Sequence, residues 1–174
     1  MANGNEIIQQ VIGVQANGQP SSVTETLTLT QLTNFEGSTS IVTAQSVTSS
    51  TVLVSSGMSV NLISGATYVF DLYVSVTNGS AGGLKLAFGG TATATSISAD
   101  TWAYNTTTLA AQGVITSLAS NLVAYTGSVT TVNITGTIQC SGSGTFNLSF
   151  AQNVSNATAT TLNVGSNFWV DRLS

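Results

Sequence analysis

Gly144-Thr145-Phe146-Asn147-Leu148-Ser149-Phe150-Ala151-Gln152-Asn153 opens the segment that decides the fold, and the segment continues to Leu173. Phe146, Leu148 and Phe150 alternate with small polar residues, which is the period-2 pattern of a half-buried β-strand. Leu162 and Val164 repeat this alternation, and a Gly-Ser turn leads into a last aromatic and apolar strand. The segment therefore predicts three short strands joined by polar turns.

The same alternation extends through the rest of the chain. Tyr68 to Val76 is the strongest strand pattern, and Val132 to Ile138 is a second long one. Asn78 to Gly83 predicts a hairpin turn into a return strand at Leu84 to Phe88, with Lys85 near Asp71. About ten short antiparallel strands at intervals of roughly 8 to 12 residues predict an all-β jelly-roll β-sandwich.

The N-terminal residues follow a different pattern. Ile7, Ile8, Val11 and Ile12 lie at helical spacing, but their β-branched side chains make an extended strand an equal alternative. The residues from Asn17 to Ser22, which include the single proline, then predict a turn or linker. We expect residues 1–40 to form an arm or small attachment subdomain and residues 41–174 to form the jelly-roll body.

Charge is scarce in this chain. Charged residues make up 5% of the sequence, against about 25% in an ordinary soluble protein. The surface must therefore consist largely of Ser, Thr, Asn, Gln and Gly, which suits a protein covered by copies of itself or by a partner, or a very stable extracellular particle. A Thr/Ser-rich β-domain without a partner is the plainer alternative.

Composition also argues against several functions. With no histidine and six scattered acids, the chain predicts no catalytic relay, no metal site and no cofactor, and we expect it not to be an enzyme. Asp71 and Asp100 are the only acids in the body before the last strand. A glycosidase with two catalytic carboxylates would therefore have to use this pair. With only two basic residues, we expect no binding to nucleic acid or anionic membrane. The first residues predict no signal peptide, which places synthesis in a host cytoplasm.

Two stretches resemble a family of phage virion proteins with compact, trimeric jelly-roll domains similar to the tumour-necrosis-factor and C1q fold. The first is Leu62-Ile63-Ser64-Gly65-Ala66-Thr67-Tyr68-Val69-Phe70-Asp71. The second runs from Thr135-Gly136-Thr137 through Gly144-Thr145-Phe146 and Ala151-Gln152-Asn153 to Arg172-Leu173. The resemblance covers about three quarters of the chain, from about Thr43, and implies a homotrimer on the surface of a virion.

This resemblance implies a structural role, either as a capsid decoration (cement) protein that binds the major capsid protein or as a head or tail fibre with a receptor-binding domain. A cell-surface β-sandwich binding module is the third alternative. In the first case, the capsid attachment residues are Ile7, Ile8, Val11, Ile12 and Val14, and the trimer interface is Phe168, Trp169, Val170, Asp171 and Arg172.

Aromatic side chains could also contact a glycan. Trp102 and Tyr104, predicted to lie near a loop, are the residues we expect to stack on sugar rings if the chain binds a receptor. Packing in the core or in an interface is the other interpretation for these two residues, and for Tyr125 and Trp169 as well.

Overall fold

The computed structural model describes residues 8–14, 20–26, 35–106, 108–118 and 121–173. Every regular element in these residues is a β-strand. The strands are β1 (Ile8–Val14), β2 (Pro20–Thr26), β3 (Phe35–Ser40), β4 (Gln45–Val47), β5 (Val54–Leu62), β6 (Thr67–Asn78), β7 (Leu84–Gly90), β8 (Thr93–Asn105), β9 (Thr108–Ile115), β10 (Asn121–Tyr125), β11 (Thr131–Gly142), β12 (Gly144–Ala151), β13 (Thr160–Leu162) and β14 (Asn167–Arg172).

The N-terminal unit contains one antiparallel pair. The chain divides into two compact units between Phe35 and Glu36, and in the first unit β1 pairs with β2, from Ile8 opposite Thr26 to Val14 opposite Pro20. The sequence left helix and strand open for this segment, and it is a strand, as the stiff χ1 preference of β-branched residues favours. Ile7 lies outside the described residues, as do the side chains of Ile8, Val11, Ile12 and Val14.

The body is a β-sandwich wound as a jelly roll. One sheet has the order β10-β7-β12-β5, and the other has the order β3-β14-β6-β11-β8-β9. Five nested pairs connect strands from opposite ends of the body: β3 with β14, β4 with β13, β5 with β12, β6 with β11 and β7 with β10. Pairing of the first strand with the last, the second with the second to last, and so on inward is the winding of a jelly roll. The fold class expected from the sequence is confirmed.

Two additions extend the larger sheet. The β8–β9 hairpin continues it beyond β11, and β13 pairs with both β6 and the short β4. Thr93–Asn105 forms the single long strand β8. Thr108–Ile115 forms its hairpin partner β9. The extra hairpin makes the larger sheet wide enough to present a broad outer face.

The core lies between the two sheets and is centred on four phenylalanines. Phe70 and Phe168 project from the larger sheet and Phe88 and Phe146 from the smaller one, with ring centroids 4.5 to 6.4 Å apart. Gly136 makes room for this cluster, because a Cβ there would lie 2.7 Å from Phe70 Cζ. The alternation of Phe146, Leu148 and Phe150 therefore marks true core positions, but the alternation predicted from Leu162 to Val164 is wrong, because β13 ends at Leu162 and Val164 is 60% exposed.

The turn at Asn78 to Gly83 corrects one expectation. The turn forms, since the N–H groups of Gly82 and Gly83 donate to the carbonyl of Gly79. It does not close a hairpin, however, because β6 belongs to the larger sheet and β7 to the smaller one. Lys85 therefore lies in the other sheet from Asp71, and its Nζ donates to the carbonyl oxygen of Thr51 at 2.6 Å.

A buried glutamine holds the loop between β12 and β13. Gln152 is fully buried; its Oε1 accepts from the N–H groups of Ser50 (3.2 Å) and Asn156 (2.9 Å), and its Nε2 donates to the carbonyl of Thr158 (2.7 Å). The hydroxyl of Thr160, also buried, donates to the carbonyl of Gly83 at 2.8 Å. These bonds fix an irregular loop of small polar residues at one end of the sandwich.

Candidate functional site

The outer face of the larger sheet carries a row of aromatic and amide side chains. Across five strands, Asn167 lies opposite Tyr73, Tyr73 opposite Asn133, Asn133 opposite Trp102, and Trp102 opposite Gln112. Directly opposed residues of a sheet project from the same face. The side chain of Tyr73 is 41% exposed and that of Trp102 is half-buried, so both rings present part of their surface to solvent.

The neighbouring row adds the carboxylates. Trp169 lies opposite Asp71, Asp71 opposite Thr135, Thr135 opposite Asp100, and Asp100 opposite Val114. Asp71 and Asp100 are exposed, and Trp169 is half-buried. We call the combined surface of Asp71, Tyr73, Asp100, Trp102, Asn133 and Trp169 the aromatic platform.

The platform is shallow rather than enclosed. One depression of about 360 Å³ is lined by Tyr73, Trp102, Asn133 and Thr135, among others. A second of about 310 Å³ lies on the other side of Trp102, against Asp100, Gln112 and Val114. Trp102 thus forms the ridge between two adjoining depressions, and both of its sides can meet a ligand that lies across the sheet.

The polar groups of the platform are available to a ligand. In the described part of the chain, the side chains of Asp71, Asp100 and Asn133 make no hydrogen bond. The ring contacts found among these residues join the four core phenylalanines and do not include Tyr73, Trp102 or Trp169. The platform therefore combines free acceptors with aromatic rings that have no aromatic neighbour.

The charge of this face is negative. Asp71, Asp100 and Asp171 share it, which is half of the six acids in the chain. Of the two basic residues, Lys85 lies in the other sheet, and Arg172 follows Asp171 on β14, so its side chain leaves that strand on the opposite side. An anionic ligand would meet repulsion here, whereas a neutral or cationic one would not.

Four of the five residues predicted for the trimer interface separate into two groups, and the fifth, Arg172, is half-buried at the end of β14. Phe168 and Val170 are completely buried in the chain's own core, so their side chains cannot contact a neighbouring subunit, and the expectation for these two is wrong. Trp169 and Asp171 project from the outer face, where they are half-buried. The Oδ1 atom of Asp171 is shielded from solvent and has no hydrogen-bond partner among the described residues.

The residues considered for a glycan and for catalysis lie closer together than the sequence indicated. Tyr104 follows Trp102 by two residues on β8 and shares its face, so this expected pair lies on a sheet rather than on a loop. Asp71 and Asp100 lie in one row on either side of β11. Their backbones are two strand spacings, or roughly 10 Å, apart across the sheet. They stand on an open face, and none of the described residues forms a cluster of His, Cys, Asp and Glu that could hold a metal ion.

Tyr73 and Asn133 are the platform residues that sequence reasoning missed. Both occupy polar-side positions of strongly alternating strands, and Tyr73 stands out there because an outward aromatic is unusual. That signal identifies Tyr73 as a candidate surface residue. It does not predict that Asn133 and Trp102 lie beside Tyr73 on the neighbouring strands.

Comparisons with known proteins add little. No protein-family model and no curated protein matches the chain. A solved structure described as "CBM4 structure and function" is similar to it at 11% sequence identity, covering 74% of this chain and 82% of that one, with a TM-score of 0.28. A likeness at this level supports no inference about function. The described residues contain no helix long and apolar enough to span a membrane.

Proposed function

We propose that this chain is a non-enzymatic structural protein of a phage virion, a capsid decoration protein whose jelly-roll body is displayed on the outer surface of the head. The observation that carries the proposal is the division of the chain into an N-terminal hairpin unit and a body with a complete core of its own. A body that needs no partner to fold leaves the first unit free to attach to the major capsid protein.

The composition and the winding of the body support the same role. A charge content of 5% suits a surface that binds by burial of apolar and hydroxyl-bearing groups rather than by ion pairs. The jelly-roll strand order agrees with the resemblance to trimeric virion proteins. Assembly as a homotrimer is part of the proposal, as the resemblance to trimeric virion proteins implies.

Removal of the N-terminal unit tests this function. We expect a variant lacking residues 1–35 to keep the far-ultraviolet circular dichroism of the body and to lose binding to capsids from which the protein has been stripped. The measurement is co-sedimentation with those capsids, followed by counting of bound copies per particle. Binding of the full chain should change little between low and high salt, because few charges are available.

A deletion of residues 1–20 provides the second arm of this experiment, since it removes β1 and leaves most of β2 without its partner. We expect it to abolish binding as the longer deletion does. Full occupancy by either deletion variant would show that the body, not the N-terminal unit, attaches to the capsid. Absence of the protein from purified virions would reject the decoration role itself.

A receptor-binding fibre domain is the second candidate function, and the aromatic platform is the observation that favours it. A displayed jelly roll with free rings and carboxylates on one broad face has the surface that such a domain requires. Competition of the purified protein against infection distinguishes the two roles, because a decoration protein should not compete.

A further inference from the structure

We propose that the aromatic platform is a binding site for a neutral polysaccharide. The inference does not rest on attachment of the chain to a capsid, because it concerns only the outer face of the larger sheet. It assigns a ligand class to a surface formed by β6, β8, β11 and β14.

The first argument is the order of the side chains in the central row. Tyr73 and Trp102 are separated by one strand, with Asn133 between them. Their separation is therefore about 10 Å along the row. The ring of a sugar has an apolar face of C–H groups that packs on an aromatic ring, and two rings at this spacing suit two units of a linked chain. Between them, an amide can both donate to and accept from a hydroxyl.

The second argument is the position of the carboxylates. Asp71 and Asp100 are the next outward residues from Tyr73 and Trp102 on their own strands, so each aromatic has a carboxylate beside it. A carboxylate accepts hydrogen bonds from two neighbouring hydroxyls, which is the arrangement that a sugar ring offers along its edge. The carboxylates of Asp71 and Asp100 make no hydrogen bond to another described residue, so a sugar that binds them breaks none of those bonds.

The third argument concerns the other possible occupants. The centre of a protein–protein interface is depleted of charged residues, whereas here each carboxylate lies beside an aromatic, Asp71 beside Tyr73 and Asp100 beside Trp102. A second copy packed on this face about a two-fold axis would bring its own Asp71 and Asp100 against those of the first copy, and like charges that face each other are unfavourable. The same carboxylates repel acidic polysaccharides. A neutral glycan chain can pack on the aromatic rings and donate hydrogen bonds to the carboxylates at the same time.

The experiment is affinity electrophoresis of the full chain in native gels that contain a soluble polysaccharide. The panel consists of neutral glucans, mannans and galactans, with alginate as the acidic comparison. We expect retardation by at least one neutral polymer and none by alginate. The affinity for the retarding polymer is then measured by calorimetry with oligosaccharides cut from it.

Variants connect the binding to the platform. We expect Trp102→Ala to weaken binding by about tenfold or more and Tyr73→Ala to do likewise, since each removes one stacking surface. Tyr73→Phe should bind nearly as the parent does, because it keeps the ring. Asp100→Asn should weaken binding while leaving the thermal midpoint unchanged. The matched control is Val154→Ala, an exposed apolar residue in the loop after β12.

Three results would overturn the proposal. The first is that no neutral polymer of the panel retards the protein. The second is that retardation survives in a Tyr73→Ala, Trp102→Ala double variant with unchanged circular dichroism. The third is that the parent forms an oligomer that dissociates when Trp102 is replaced, which would make this face a contact between copies. None of these results bears on capsid occupancy, so the decoration role and this site are tested separately.

Discussion

Gln152 shows how one polar residue organises a loop whose largest apolar side chain, Val154, is exposed. Its amide group satisfies two backbone N–H groups and one backbone carbonyl inside the protein. A buried polar group left without a partner costs about 1 to 3 kcal/mol, so the arrangement stabilises the loop mainly by avoiding that cost. The residue belongs to the stretch that carries the family resemblance, and its packing gives a structural reason for an amide at this position.

Replacement of Gln152 by alanine should lower the free energy of unfolding by about 2 to 3 kcal/mol, because three backbone groups lose their partner. Chemical denaturation followed by tryptophan fluorescence measures the change. The adjacent variant Asn153→Ala is the control, since Asn153 makes one exposed hydrogen bond to Thr126 and should cost under about 1 kcal/mol. Equal midpoints for the two variants would contradict the role of Gln152.

The β8–β9 hairpin is the element that distinguishes this body from a plain eight-stranded jelly roll. It enters the chain between β7 and β10 and adds its two strands at the edge of the larger sheet. Without β8, the outer face would lose Asp100 and Trp102 and, with them, the ridge between the two depressions. The platform therefore depends on an insertion rather than on the jelly roll itself.

The turn of this hairpin contains local strain. Thr106 has φ +58°, in the left-handed region that β-branched residues rarely adopt, and its side chain is exposed. Asparagine tolerates this region, so Thr106→Asn should raise the free energy of unfolding by about 1 kcal/mol. A thermal melt measures the gain, with Thr108→Asn in β9 as the control that should show none. An equal rise for both variants would mean that the turn is not the cause.

At the scale of the whole molecule, the scarcity of charge affects how the surfaces associate. Both inner sheet faces are used by the chain's own core, so the outer faces and the strand ends are what remains for other molecules. The side chains that fill that core have no surface left for a subunit contact. We propose that the trimer contact lies at the end of β14, where Asp171 is outward and half-buried.

Native mass spectrometry should give three times the chain mass, and Asp171→Ala should shift the population toward monomer, because it removes an outward side chain of the proposed contact. Asp100→Asn lies about three strands away on the same face and should leave the trimer intact. A monomeric parent would disprove the homotrimer, and a trimer unaffected by Asp171→Ala would place the contact elsewhere.

The sequence alone determined the class of the fold, because strict period-2 alternation at positions such as Phe146, Leu148 and Phe150 leaves no other way to bury one face of each strand. Only the tertiary structure decided which strands pair. The turn at Asn78 has the residues of a hairpin, yet it passes from one sheet to the other, since the pairing of β6 is taken up by β11 and β14. The register of β6, β11 and β8 is a long-range property, and it brings Tyr73, Asn133 and Trp102 into one row.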